Sequence, residues 1–282
     1  FGTWMVHAVG LYTQSKEDNE HYAYIGLNQW AGFIKQRGNN PGFDKDLDVS
    51  VRSVDMPRFL RYLIMSEHMT PDLWSATVKY MWGSGNSMYN KAHQNNNWRT
   101  YEVRGFNSIN CYFNEFRDHF NWVDKLRYYA QTNIDVMVYA DGTNAEAAMG
   151  YAMYALADMI DFGSANIETG LTSDEHIPYY EEDIAKVEKG YMFMAKILGP
   201  EYCDNQTGDG GAYTVKHKAR LLAGGEFFNN PYLLYVGSDG KRGNKTDNET
   251  SVFFEGGYEV AMRTGWEKND LYLYTDASGG KK

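Results

Sequence analysis

The sequence predicts a mainly α protein. Antiparallel helix pairs, arranged as in a toroid or solenoid, lead into a short antiparallel β region. Three observations carry this. Apolar residues recur at i, i+3 and i+4 from the N-terminus to about residue 235. Glycine, proline and asparagine interrupt that pattern at intervals of roughly one helix length. After residue 250 the period shortens to two, as in a half-buried strand.

Residues 1–37 read as helical, with Tyr24, Leu27, Ala31 and Ile34 on one face, stopped by Arg37-Gly38-Asn39-Asn40-Pro41-Gly42. Residues 55–69 form a second helical stretch. Thr70-Pro71 is an N-cap followed by proline in the first turn, so a helix starts there and runs to Tyr80 or Trp82. Gly83-Ser84-Gly85-Asn86 reads as its end.

From Trp98 to about Phe120, Val103, Phe106, Ile109 and Phe113 share one side, with Asn97, Arg104, Ser108 and Cys111 opposite. A helix from Trp122 to Gln131, a short segment Asp135–Tyr139 and a turn at Asp141-Gly142 follow. Between Asn144 and Asp161 the stripe is Met149, Met153, Leu156 and Ile160, while Gly150, Tyr151, Tyr154 and Asp158 occupy the other face. Residues 163–178 read as loop, 180–198 as helix, and 213–223 and 226–235 as two short helices. A polar linker, 238–250, precedes strands around Val252–Phe254, Tyr258–Arg263 and Asp270–Tyr274.

Composition narrows the function. The net charge of −10 argues against nucleic acid as a partner, and no apolar run approaches a membrane span. Cys111 and Cys203 make no disulfide framework, and the His residues show no ligand spacing, so no metal or cofactor is legible. Basic residues nonetheless cluster at Arg99/Arg104, at Lys125/Arg127, and at Lys216, His217, Lys218 and Arg220.

The segment from Asn95 to Tyr154 carries the chemistry. A uronic acid in a polysaccharide has an acidic C–H beside its carboxylate, and loss of that proton leads to β-elimination of the chain oxygen. The developing enolate needs amide or guanidinium donors on the carboxylate. A base near the carbon and an acid near the leaving oxygen complete the requirement, and Tyr or His suits both roles. Asn97 and Arg104 share a face, and Tyr151 leaves the apolar stripe of its own helix, which is the inventory such a reaction needs.

The run Asn96-Asn97-Trp98-Arg99 opening a helix, then Asp141-Gly142-x-x-x-Glu146 with Tyr151 five residues on, resembles the heparinase II/III-type polysaccharide lyases. So does Gly256-Gly257-Tyr258 through Met262-Arg263-Thr264-Gly265-Trp266 to Leu271-Tyr272-Leu273-Tyr274 and Asp276-Ala277. The resemblance spans roughly residues 90–282. It implies an incomplete (α/α) toroid over 1–240 and the first strands of a C-terminal β-sandwich over 251–282. It implies that Asn97, or Asn96 one register away, neutralises the substrate carboxylate, with Tyr151 as base or acid and Tyr154 as its substitute. Trp98, Arg99, Arg104, His93 and Glu146 join them as substrate-binding candidates. The family's catalytic His falls beyond Lys282, so these residues are expected to form part of a site in a longer protein that is periplasmic or secreted. The expected partner is an acidic polysaccharide such as a glycosaminoglycan or alginate. Two rival readings stand beside this one. A glycoside hydrolase would draw its carboxylate pair from Asp141, Glu146 and Asp158, and a binding fragment would hold acidic glycan without cleaving it.

Overall fold

The computed structural model describes residues 2–14, 19–37, 46–91, 95–146, 148–202, 214–245 and 249–277. Eleven α-helices and three strands lie within them: α1 (Gly2–Gln14), α2 (Asn19–Arg37), α3 (Asp46–Tyr62), α4 (Pro71–Asn90), α5 (Asn97–Tyr112), α6 (His119–Met137), α7 (Met149–Ile160), α8 (Ser164–Thr169), α9 (Glu181–Lys196), α10 (Thr214–Phe227), α11 (Pro231–Gly237), β1 (Ser251–Phe254), β2 (Glu259–Arg263) and β3 (Tyr272–Asp276). They divide into two compact units. One holds residues 1–94, 101–129 and 162–178, and the other holds 95–100, 130–161 and 179–282.

In the first unit, α1 packs on α2 and α3, and α4 packs on α2 and α3. Trp30, fully buried, donates its indole N–H to Thr77 Oγ1 at 2.8 Å, and the Thr77 hydroxyl in turn donates to the Leu73 carbonyl. Phe33 and Tyr80 close around the same ring. The start of α4 is as the sequence predicts: Thr70 Oγ1 accepts from the Leu73 N–H, with Pro71 in the first turn. Its end is not. The helix runs through Gly83–Asn86 to Asn90, and Gly85 there serves packing. A Cβ on Gly85 would lie 2.4 Å from the Trp122 ring, so its absence lets α4 seat against that indole.

On α5 the predicted stripe Val103, Phe106, Ile109 and Phe113 is buried. Ser108 and Cys111, expected on the opposite face, are buried as well. Ser108 donates to the Val54 carbonyl, and burial pushes the Cys111 thiol up to about 12. The stretch read as loop over 163–178 contains α8. Its Asn166 is the organiser: Asn107 donates to Asn166 Oδ1, and Asn166 Nδ2 donates to the carbonyls of Leu171 and His176. That holds His176 against His119, whose Nε2 lies 2.8 Å from His176 Nδ1 while its Nδ1 lies 3.2 Å from the Asn110 carbonyl. Asn110's carbonyl requires a proton on His119 Nδ1, so His176 donates to His119 Nε2.

In the second unit, α7 packs on α9 and α10, and α10 packs on α9 and α11. The strands form one antiparallel sheet, ordered β1-β2-β3, with Phe254 opposite Glu259 and Ala261 opposite Tyr274. Glu259, Ala261 and Arg263 of β2 face inward and are buried, whereas Phe253, Met262 and Leu273 stay exposed on the outer face. Arg263 Nη2 donates to the carbonyls of Lys196 at 2.5 Å and Leu198 at 2.7 Å, and the Tyr272 hydroxyl donates to the Ile197 carbonyl between them. The end of α9 is thereby capped from the sheet.

Two outcomes are expected. Arg263→Met should lower stability by about 2–4 kcal/mol in urea melts, because it strips the charged donors from buried carbonyls. Burial, followed by the neighbouring His176, lowers the His119 pKa against the pull of the Asn110 carbonyl and Glu175. The folded state therefore binds this proton less readily than the unfolded chain does. Its stabilising contribution is whole above about pH 6.5 and is lost as the pH falls through the folded value. Melting temperature measured from pH 7 to pH 5 should decline, and His119→Gln should flatten that decline.

Candidate functional site

The asparagines at the start of α5 are not equivalent. Asn96 is the helix cap: its Oδ1 accepts from the N–H groups of Trp98 at 3.0 Å and Arg99 at 3.3 Å. Its side-chain oxygen is committed to the helix. Asn97 engages through its backbone, with its N–H directed at Glu146 Oε1 (3.4 Å) and its carbonyl accepting from Thr100 Oγ1. The Asn97 carboxamide makes no hydrogen bond among the described residues. Trp98 is exposed and Arg99 is buried.

Glu146 is the physical link to the tyrosine helix. Its backbone N–H donates to Asn144 Oδ1, and α7 begins three residues later. The Glu146 side chain lines a cavity of about 10 Å³ with Met149, Ala152, Phe193, Met194, Ile197, Glu259 and Tyr274. That is room for about one water. At the same cavity the Tyr274 hydroxyl donates to Glu259 Oε2 at 2.5 Å, and burial raises the Tyr274 pKa, with the Glu259 bond adding to it.

The helix beyond is shorter than the sequence suggests. It starts at Met149, because Asn144 and Glu146 belong to a turn closed by the Val138–Asn144 bridge. Asp141 organises that turn. Burial alone would raise its pKa, but the Thr143 hydroxyl and the N–H groups of Gly256 and Thr143 outweigh this and hold the carboxyl below its usual range. Gly142 adopts φ +93°, and a Cβ there would lie 2.2 Å from the Lys189 carbonyl of α9.

On α7 the two tyrosines part company. Tyr151 is 42 % exposed, and its hydroxyl makes no hydrogen bond among the described residues. Tyr154, one turn on, is half-buried beneath Arg220, whose guanidinium carbon sits 3.6 Å from the ring centroid. Arg220 thus has a place in the site's surroundings that its membership in a basic sequence cluster does not reveal. Only its spacing from buried His217, i to i+3 on α10, hints at an inward face. Lys218, from the same cluster, points elsewhere and pairs with Asp239.

Asn96, Asn97, Trp98, Arg99, Glu146, Tyr151 and Tyr154 therefore fall in one compact unit. Arg104 belongs to the other, where it is half-buried, and His93 and Cys203 lie outside the described residues. Among the described residues, Glu20, Glu67 and His68 are the group with metal-ligand spacing. They lie in the first unit, and Ser66 already donates to Glu20. No helix among the described residues is long and apolar enough to cross a membrane.

The model of the heparinase II/III N-terminus matches residues 3–231, and the chain belongs to that family. Among its relatives, a heparin-sulfate lyase of Pedobacter heparinus is 22 % identical over 290 residues, covering 98 % of this chain and 43 % of the relative. The crystal structure of heparan sulfate lyase HepC from the same organism aligns with a TM-score of 0.76 at 21 % identity, covering 98 % of this chain and 43 % of that one. Heparinase III aligns with a TM-score of 0.80 at 16 % identity, over 97 % and 44 %. The chain spans less than half the length of these relatives. The likeness shows the fold: the helical class of the heparinases, an (α/α) toroid leading into antiparallel strands, as the sequence predicts.

Gly142→Ala tests how the turn is held. It should destabilise the protein by about 2–3 kcal/mol by denaturant melt, since both the positive φ and the Lys189 carbonyl oppose a side chain there.

Proposed function

We propose that the protein is a polysaccharide lyase that cleaves a uronic-acid-containing glycosaminoglycan by β-elimination. The observation that carries this reading is a pair of uncommitted groups in one unit: the Asn97 carboxamide and the Tyr151 hydroxyl. Glu146, five residues before Tyr151 in sequence, accepts from Asn97's own backbone N–H. Neither group makes a hydrogen bond among the described residues, and an amide donor and a phenol are the pair that β-elimination uses.

In this reading Asn97 donates to the uronate carboxylate as the enolate forms, and Tyr151 transfers the proton at the sugar carbon or the leaving oxygen. A His beyond Lys282 supplies the complementary proton step. Trp98, exposed beside Asn97, offers a face for a sugar ring. Membership of the family and the lyase names of its relatives support the choice of reaction and of an acidic glycan. The commitment of Asp141 to its own turn weakens the hydrolase reading, which needs free carboxylates. Residues 1–240 are then the toroidal part of the catalytic domain, and 251–282 open a β-sandwich. The reaction takes place in the periplasm or outside the cell, where such polymers are met.

The full-length enzyme should release an unsaturated product that absorbs in the ultraviolet. Tyr151→Phe should cut turnover by about 10²–10⁴-fold with oligosaccharide binding retained, and Asn97→Ala should lower turnover on the same order by removing a donor to the enolate. Near-normal turnover in Tyr151→Phe would refute the proton-transfer role.

A further inference from the structure

Lys125 of α6 stands apart from the other cations of the first unit. Its Nζ lies 4.9 Å from the ring centroid of Tyr129, 5.4 Å from that of Tyr128 and 5.6 Å from that of Tyr89. Tyr128 and Tyr129 follow it at i+3 and i+4 on the same helix face, and Tyr89 comes from the last turn of α4. The cage is fixed: the Tyr129 hydroxyl donates to the Tyr89 carbonyl at 2.9 Å, and Tyr129 is buried. Among the described residues no carboxylate pairs with Lys125. Acids are not scarce, since the chain has 37 against 27 basic residues. The acid next to it in sequence, Asp124, reaches Arg127 instead, and Arg58 and Arg61 each find a glutamate.

Ring faces attract an ammonium and strip part of its water, but they leave its charge uncompensated. A lysine held this way is a cation fixed in advance, and its missing complement is an anion. Beside it Tyr128 is 58 % exposed. An aromatic face next to a fixed cation suits a pyranose carrying an acidic substituent: the sugar's C–H face lies on the ring and the anion meets the ammonium.

We propose that Lys125, Tyr128 and Tyr89 form a subsite for an anionic sugar residue bearing a sulfate or carboxylate group. The choice of a sugar polymer rests on the lyase reading; the anion preference rests on the cage alone.

The test uses the full-length enzyme with three variants: Lys125→Met, Lys125→Arg and Tyr128→Ala. Heparin oligosaccharides are compared with the same chains after desulfation. Lys125→Met should raise KM by about 10-fold at low salt with kcat unchanged. Lys125→Arg should restore it, Tyr128→Ala should also raise KM, and the Lys125 effect should shrink as salt rises. A loss confined to the sulfated chains identifies the anion as sulfate, and a loss on both identifies the carboxylate. Unchanged KM in both Lys125→Met and Tyr128→Ala, or a fall in kcat alone with lowered melting temperature, would overturn the subsite. Should the wild-type enzyme form no unsaturated product, the lyase reading falls by itself. Equilibrium binding of the same oligosaccharides to the variants then decides the subsite separately.

Discussion

A guanidinium set against the open end of a helix holds the second unit together. The last carbonyls of an α-helix have no partner within it and carry the negative end of its dipole. At the end of α9 the carbonyls of Lys196, the cap residue Ile197 and Leu198 just past it are met in succession by Arg263 and Tyr272 from two neighbouring strands. Arg263 also stacks on Trp266, 3.9 Å from its ring centroid, so its orientation is set on both sides. Much else follows from where α9 is then held. Its Gly190 admits the Leu156 side chain of α7, and its Lys189 carbonyl admits Gly142 with no Cβ to spare. The turn before α7 and the helix that bears the tyrosines are thus both seated on α9.

The candidate site inherits that rigidity without consuming it. Asp141, Glu146 and Asn96 are each engaged with backbone N–H groups and hold the turns in place. The two groups assigned chemistry, the Asn97 carboxamide and the Tyr151 hydroxyl, make no hydrogen bond among the described residues. This division suits electrostatic catalysis, in which donors must be fixed before charge develops.

The sequence displayed these features unevenly, for physical reasons. The Thr70-Pro71 helix start, the Asp141-Gly142 turn and the three strands were legible because each rests on local chemistry, whether a cap, a positive φ or a period of two. Gly85 misled because its role is to admit Trp122, 37 positions away, and no local signal separates that use from a helix stop. α8 was missed because its six residues carry no apolar stripe; the buried Asn107–Asn166 pair holds it. Asn97 and Tyr151 stood out because each leaves the hydrophobic face of its helix. Arg220 did not, since its contact with Tyr154 joins segments 66 residues apart and charge alone suggests solvent.

The sheet has a consequence for how the molecule behaves in a tube. Among the described residues β1 and β3 are the outer strands of the sheet, and Phe253, Met262 and Leu273 are exposed on one of its faces. Exposed edges beside an apolar surface are where foreign strands add most readily. For these 282 residues taken alone, self-association should therefore begin at this sheet, and the further strands of the proposed β-sandwich, added to β1 or β3, should suppress it.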